Sequence, residues 1–349
     1  MKECWVITTP LRSKILENMI KYVLEGFEYT IVDSVKNVNK LKNKRILFAL
    51  ELDEAGFCHE VNLILSKFTS LGFDSLYDST AAIIIHSNSE LFTKSAAQNI
   101  IFLANRLGCR FIGHPLVEAI DGFKNFLTWQ KTINKPLEDI CYEQCRNLGS
   151  RLLYFEKQHF DKPKILALHA SNHQTSNTYM LWKMVMKNIN SCDIKELHVE
   201  NGTVLDCIGC SFKTCKHFSE QKSCFYGGIM VEEVYPEVEK ADVLLWICPN
   251  YNDSISANLS AVINRLTALY RKIKFYDKSI YAIIVSGNSG GDSVAKQLIG
   301  ALNINKGFKL PPYFAEMQIA NDPGSILEVP DIENKAKSFA ENIVLENVL

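Results

Sequence analysis

The chain has 349 residues, 47% of them apolar, and a formal net charge of −1 without basic runs. Such a length favours two domains, each with enough apolar residues for its own core, and the charge balance argues against nucleic acid and against an anionic membrane surface as partners. No apolar run approaches the ~20 residues of a spanning helix, and the segment Met1-Lys2-Glu3-Cys4-Trp5 lacks the apolar stretch of a signal peptide; a cytoplasmic protein is expected, with its 11 cysteines as buried thiols or ligands rather than a disulfide framework.

The first half alternates strand and helix. Strands are expected at 4–9, 29–35, 45–52, 81–86 and 111–117, and helices at 11–24, 61–68, 93–107 and 137–156. Residues 45–52 are continuously apolar, as in a strand buried on both faces of a parallel sheet. The pattern predicts a doubly wound α/β domain over 1–157. A polar, proline-containing stretch at 158–164 breaks it, and a second alternation fills 164–349. Its strands are expected at 165–169, 194–200, 243–248, 280–285 and 313–319, and its helices at 178–189, 231–240, 257–270, 293–303 and 332–345. Ala82-Ile83-Ile84-Ile85-His86-Ser87-Asn88-Ser89 aligns without a gap on Ala282-Ile283-Ile284-Val285-Ser286-Gly287-Asn288-Ser289. Together with the shared order of elements, this points to a duplication.

In an open parallel sheet the ligand lies beyond the carboxyl ends of the strands, where strand order reverses. Three loops of the second half fall there. Ala170-Ser171-Asn172-His173-Gln174-Thr175-Ser176-Asn177-Thr178 opens onto a helix, so free N–H groups and hydroxyls converge as in a phosphate site; a capped helix with a polar lead-in is the equal alternative. Pro249-Asn250-Tyr251-Asn252-Asp253-Ser254 sets amides beside an aromatic ring, which suits a flat heterocycle. In Ser286-Gly287-Asn288-Ser289-Gly290-Gly291-Asp292, glycines let backbone approach a planar ligand.

Between the second strand and its helix lies the least ordinary stretch, 206–228. Cys207, Cys210, Cys215 and Cys224 provide four thiols, and Gly209, Gly227 and Gly228 interrupt any periodicity. The expectation is a long loop. Four thiolates are the ligand number of zinc and of iron–sulfur clusters, and free thiols are the third reading. Phe225 and Tyr226 would either shield a cofactor or anchor the loop as an apolar plug.

The series Ser171-x-His173-x-x-Ser176-Asn177-Thr178, then Cys207-Ile208-Gly209-Cys210, then Cys248-Pro249-Asn250-Tyr251 with Ser256-Ala257-Asn258-Leu259, resembles the NADPH-dependent FMN reductase and iron–sulfur flavoprotein group. The resemblance implies two tandem flavodoxin-like domains, each with a five-stranded parallel sheet: 1–157, degenerate and without cofactor, and 164–349, which would bind FMN. It assigns Ser171, His173, Ser176, Asn177 and Thr178 to the FMN phosphate. Pro249, Asn250, Tyr251, Asn252, Asp253 and Ser254, with Ser286, Gly287, Asn288, Gly290 and Gly291, would contact the ribityl chain and the ring. The family usually has arginine where His173 stands, and its iron–sulfur members space the third cysteine more tightly. The implied activity passes electrons from NAD(P)H or a protein donor through FMN, with or without a 4Fe–4S cluster on Cys207, Cys210, Cys215 and Cys224, to a small acceptor, in a homodimer. The alternative is an electron carrier that docks to a partner redox protein, its cysteines free or bound to structural zinc. The first half lacks these features: its first strand is expected to run straight into Pro10 and a helix, and Glu51-Leu52-Asp53-Glu54 sets carboxylates where a flavin would lie. It would serve as scaffold, dimer surface or lid.

Overall fold

The computed structural model describes residues 3–171, 175–200 and 202–349. The chain divides into two compact units, Met1–Glu156 and Lys157–Leu349. In the first, strands β1 (Cys4–Ile7), β2 (Tyr29–Val32), β3 (Arg45–Leu52), β4 (Thr80–Ser87) and β5 (Arg110–Ala119) form one sheet of order β2-β1-β3-β4-β5, all pairs parallel. Helices α1 (Lys14–Val23), α2 (His59–Ser70), α3 (Thr93–Arg106), α4 (Leu127–Ile133) and α5 (Leu137–Leu153) accompany it.

The second unit repeats the plan with β6 (Lys164–His169), β7 (Asp193–His198), β8 (Val243–Pro249), β9 (Ser279–Ser286) and β10 (Ala315–Ile319). Its parallel order is β7-β6-β8-β9-β10. Its helices are α6 (Asn177–Met186), α7 (Phe212–Glu220), α8 (Tyr235–Lys240), α9 (Ala257–Lys272), α10 (Gly291–Leu298) and α11 (Ile332–Asn347). Counted within each unit, both sheets read 2-1-3-4-5, the flavodoxin order. The chain is two tandem flavodoxin-like domains. The self-similar octapeptides both start inside the fourth strand of their units, where Ile83, Ile84, Ile283 and Ile284 are wholly buried.

The central strands are apolar on both faces because helices cover both faces, so only their ends carry polar groups. One face of the second sheet illustrates this: Ala167, Leu245 and Ile283 meet Leu181 and Trp182 of α6 and Phe339 of α11. Among the described residues no helix is long and apolar enough to cross a membrane.

Two sequence-based expectations are corrected here. Helix α1 begins at Lys14 rather than residue 11, because Ser13 caps it, its Oγ accepting the Leu16 N–H at 3.2 Å. Residues 8–13 therefore form a connection, with Leu11 84% exposed, instead of strand running straight into helix. The cysteine stretch is not loop throughout. Helix α7 lies inside it, capped by Ser211 Oγ on Thr214 N–H at 3.2 Å, and it packs against α9. One capped turn and a short apolar face suffice for a helix when a neighbouring helix covers that face.

Candidate functional site

Strand order in the second sheet reverses between β6 and β8, and a cleft of about 340 Å³ opens beside the carboxyl ends of these strands. Each of the three loops singled out in the sequence contributes to it. Ser171, Thr175, Ser176, Asn177 and Thr178 come from the first, Pro249, Asn250 and Tyr251 from the second, and Gly287 from the third. A fourth loop, after β10, supplies Ala320, Asn321 and Pro323. Sequence reading missed that loop, although the polar, turn-forming run Asn321-Asp322-Pro323-Gly324 was a signal for it.

The phosphate-type loop ends in a capped helix. Ser176 Oγ accepts the Tyr179 N–H at 3.5 Å and lies 3.1 Å from Ser171 Oγ. Thr178 lines the same end of the cleft and is 2% exposed. His173 lies outside the described residues. None of the described lining residues is Lys, Arg or His, so the attraction they offer an anion comes from hydroxyls, backbone N–H groups and the positive end of α6.

Two of the expected ligand-holding side chains act as struts. Asn177 Nδ2 donates to Ala320 O at 3.0 Å and to Asp322 O at 2.9 Å, while its Oδ1 accepts the Ile326 N–H at 3.2 Å. It ties the start of α6 to the fourth loop. Asn250 Nδ2 donates to Ser286 Oγ and Ser289 O, both at 3.0 Å, and to Asp253 Oδ1 at 3.3 Å. It therefore joins the second loop to the third. Its Oδ1 is buried without a partner among the described residues. Asn252, Asp253, Ser254, Ser286, Asn288, Gly290 and Gly291 are not among the residues lining the cleft. Asn288 Oδ1 instead accepts the N–H of Ser289 at 2.6 Å.

Close approach at two positions, and a left-handed φ at one, favour glycine where these loops meet. A Cβ on Gly287 would lie 2.7 Å from Asn321 Oδ1, and one on Gly290, at φ +83, would lie 1.8 Å from Asp253 Oδ1.

His169, at the end of β6, is a core residue beneath α6 and does not line the cleft. Its ring stacks on His198 at 4.8 Å and lies 4.8 Å from the Tyr179 ring. Burial, and then the neighbouring His198, lower its pKa to about 4, so it is neutral near pH 7. Trp182 of α6 is fully buried packing.

All four cysteines of 206–228 line a second pocket, of about 210 Å³, with Phe218, Phe225, Tyr226, Arg265 and Arg271. Phe218, Phe225 and Tyr226 form an edge-to-face series with centroids 5.8 and 5.6 Å apart; Phe225 and Tyr226 are exposed and do not line the cleft. Cys207 Sγ accepts the Gly209 N–H at 3.5 Å. Arg265 is 3% exposed and donates to Gly227 O at 2.7 Å and Leu205 O at 3.4 Å. The lining includes no carboxylate. Among the described residues, however, no three Cys, His, Asp or Glu side chains are gathered closely enough to hold a metal ion.

In the first unit the corresponding edge is occupied by side chains. His86 Nδ1 meets Glu51 Oε1 and stands 3.0 Å from Ser13 Oγ, and Ser13 N–H donates to Glu51 Oε2 at 3.0 Å. Burial would raise the Glu51 pKa, but the hydrogen bonds from His86 and Ser13 outweigh it and hold it below the usual range. Glu51 is thus a bonded strut as well as a charge unsuited to a phosphate.

Residues 163–321 match the model of the family described as NADPH-dependent FMN reductase. Over that span the second unit is similar to this family. The match spans β6 to β10 and takes in each cleft loop up to Asn321. No curated protein matches the sequence. Among solved structures, RosB with the bound intermediate 8-demethyl-8-formylriboflavin-5'-phosphate is 14% identical, over 52% of this chain and 77% of that one, with a TM-score of 0.41. The NAD(P)H:quinone oxidoreductase from Methanothermobacter marburgensis is 15% identical over 52% and 94%, at 0.40. The Trp repressor binding protein from Bacillus subtilis is 18% identical over 50% and 98%, at 0.36.

Proposed function

We propose that the FMN reductase-type domain binds FMN non-covalently in the cleft beside β6 and β8 and passes electrons from NAD(P)H to a small acceptor. The observation that carries this reading is the meeting of four strand-end loops around one cleft at the reversal of strand order, with the start of α6 at one end. The residues fit such a guest. Ser171, Thr175, Ser176 and the N-terminal N–H groups of α6 would hold the phosphate. Pro249, Asn250, Tyr251 and Gly287 would border the ribityl chain and ring. When bound, FMN supplies the hydride acceptance and the onward electron transfer; these side chains orient it.

Access favours an enzyme over a pure electron carrier. Tyr251 at the rim is 62% exposed, and Phe225 and Tyr226 line the cysteine pocket rather than roofing the cleft. Room for a nicotinamide is what a reductase needs and a carrier does not. The first unit would serve as scaffold, and a homodimer and a cytoplasmic location are part of the same reading.

The cysteine pocket is a candidate metal centre, a 4Fe–4S cluster or a structural zinc. Its support is the shared pocket, the donor chemistry, the N–H bond onto Cys207 Sγ and a lining free of carboxylates. The sulfurs do not stand gathered as ligands, so a metal would have to draw them together.

Anaerobic purification tests the proposal. The protein is expected to carry stoichiometric FMN with the two bands of an oxidised flavin, bleached by NADPH alone. Reduction only by a reduced redox protein would return the carrier reading, and absence of any flavin after reconstitution would remove both. In the same preparation, Cys207→Ser should keep FMN and lose bound iron or zinc. Unchanged metal content would dismiss that ligand set.

A further inference from the structure

The loop after β8 is a tight turn. Tyr251 N–H donates to Ser254 O at 3.3 Å and Ser254 N–H to Tyr251 O at 3.1 Å. Asn252 and Asp253 between them both have positive φ, 52° and 57°. Two central residues at positive φ are what the tightest hairpin turns require, and glycine usually takes one of the places. Here neither residue is glycine, and so short a hairpin has no stability of its own in water. Asn and Asp tolerate this region best after glycine, and contacts from outside must fix the rest of its shape.

Two carboxamides impose it. Asn250 Nδ2 holds the Asp253 carboxylate on the near side. On the far side stands Gln297, half-buried in the last turn of α10. Its Nε2 donates to Asp253 O at 2.8 Å, and its Oε1 accepts the Ile255 N–H at 3.2 Å. One side chain thus grips the second central residue of the turn and the residue just beyond it. Its helix begins at Gly291, directly after the third cleft loop, so the grip fixes the second loop to the element that ends the third.

We propose that Gln297 is a positioning residue of the cofactor site, clamping the 251–254 turn that sets Tyr251 at the cleft and so setting how tightly flavin is held. The inference rests on the FMN reading and goes beyond it by naming a residue outside the cleft lining and the end of the cofactor on which it acts. The clamped turn belongs to the ring side, whereas Ser171 and Ser176 belong to the phosphate side. The clamp should therefore affect FMN and riboflavin alike, since riboflavin keeps the ring and lacks the phosphate.

The test uses the full-length protein stripped of flavin and titrated with FMN and with riboflavin by fluorescence quenching. Gln297→Ala should raise both dissociation constants by about tenfold, the effect of losing two neutral hydrogen bonds of ordinary net strength, with the apoprotein melting temperature lowered by no more than a few degrees. Gln297→Met keeps length and packing but neither hydrogen bond; it should weaken both ligands similarly and speed hydrogen exchange at residues 250–256. Should the alanine variant fail to fold, the methionine variant decides. Methionine binding both flavins as tightly as glutamine overturns the clamp, and so does a loss confined to FMN, which would place the effect on the phosphate loop. A wild-type apoprotein that takes up neither flavin overturns the FMN reading itself, and this inference with it.

Discussion

Ser176→Asp is expected to abolish FMN retention while leaving the second unit folded. Ser176 is the N-cap of α6, its Oγ accepting from Tyr179 N–H, and its hydroxyl faces Ser171 Oγ at 3.1 Å on the lining of the cleft. Aspartate caps a helix about as well as serine, so the helix keeps its start. The new carboxylate then stands where the phosphate would bind. Two unit charges about 5 Å apart at an effective dielectric of about 20 repel by roughly 3 kcal/mol, which is more than a hundredfold in affinity. A phosphate monoester carries more than one unit of charge at neutral pH, and the described lining residues include no cationic side chain to offset the repulsion. Riboflavin is the control: its affinity should fall by a few fold at most. The measurement is flavin content after gel filtration, followed by titration of the apoprotein with each flavin. Retention of FMN by the aspartate variant would move the phosphate away from this loop.

Gly290→Ala is expected to weaken FMN and riboflavin together, by about tenfold or more. The added methyl would sit 1.8 Å from Asp253 Oδ1 and 3.1 Å from Asn250 Nδ2, at a φ of +83°. Asn250 is engaged with Ser286 and Ser289, so the exposed Asp253 carboxylate must swing aside, which breaks its bond from Asn250 Nδ2 and loosens the second loop beside the third. Backbone held in so sparsely populated a conformation costs on the order of 1–3 kcal/mol for a residue with a side chain. The core beneath is untouched, so the melting temperature of the apoprotein should change much less than flavin affinity does. A crystal structure or hydrogen exchange at 250–256 and 286–292 would show whether the loops part. Unchanged affinity for both flavins would mean that this edge does not border the cofactor.

Much of the fold was legible because its signals are local. The apolar runs at β3, β4, β8 and β9 can only be strands covered on both faces, and the alternation with helices limits the sheet to a parallel, doubly wound one. The site was legible at the level of loops. A polar run opening onto a capped helix, an amide-rich run after the third strand and a glycine-rich run after the fourth do meet at one cleft. At the level of side chains the reading was less complete. Asn177 lines the cleft, and its amide also spans to Ala320, Asp322 and Ile326, which no local pattern announced. The helix within the cysteine stretch escaped notice because its apolar face becomes useful only against α9.

The division follows from the range of the forces. Period, propensity and capping act within a few residues, so the order of elements, the duplication and the candidate loops were written in the sequence alone. Which atoms of those loops face the cleft was decided by partners far along the chain: Asn250 with Ser286, Gln297 with Asp253, Asn177 with Ile326. Each is a directional hydrogen bond between groups that no local pattern couples, and only the folded chain brings them within reach.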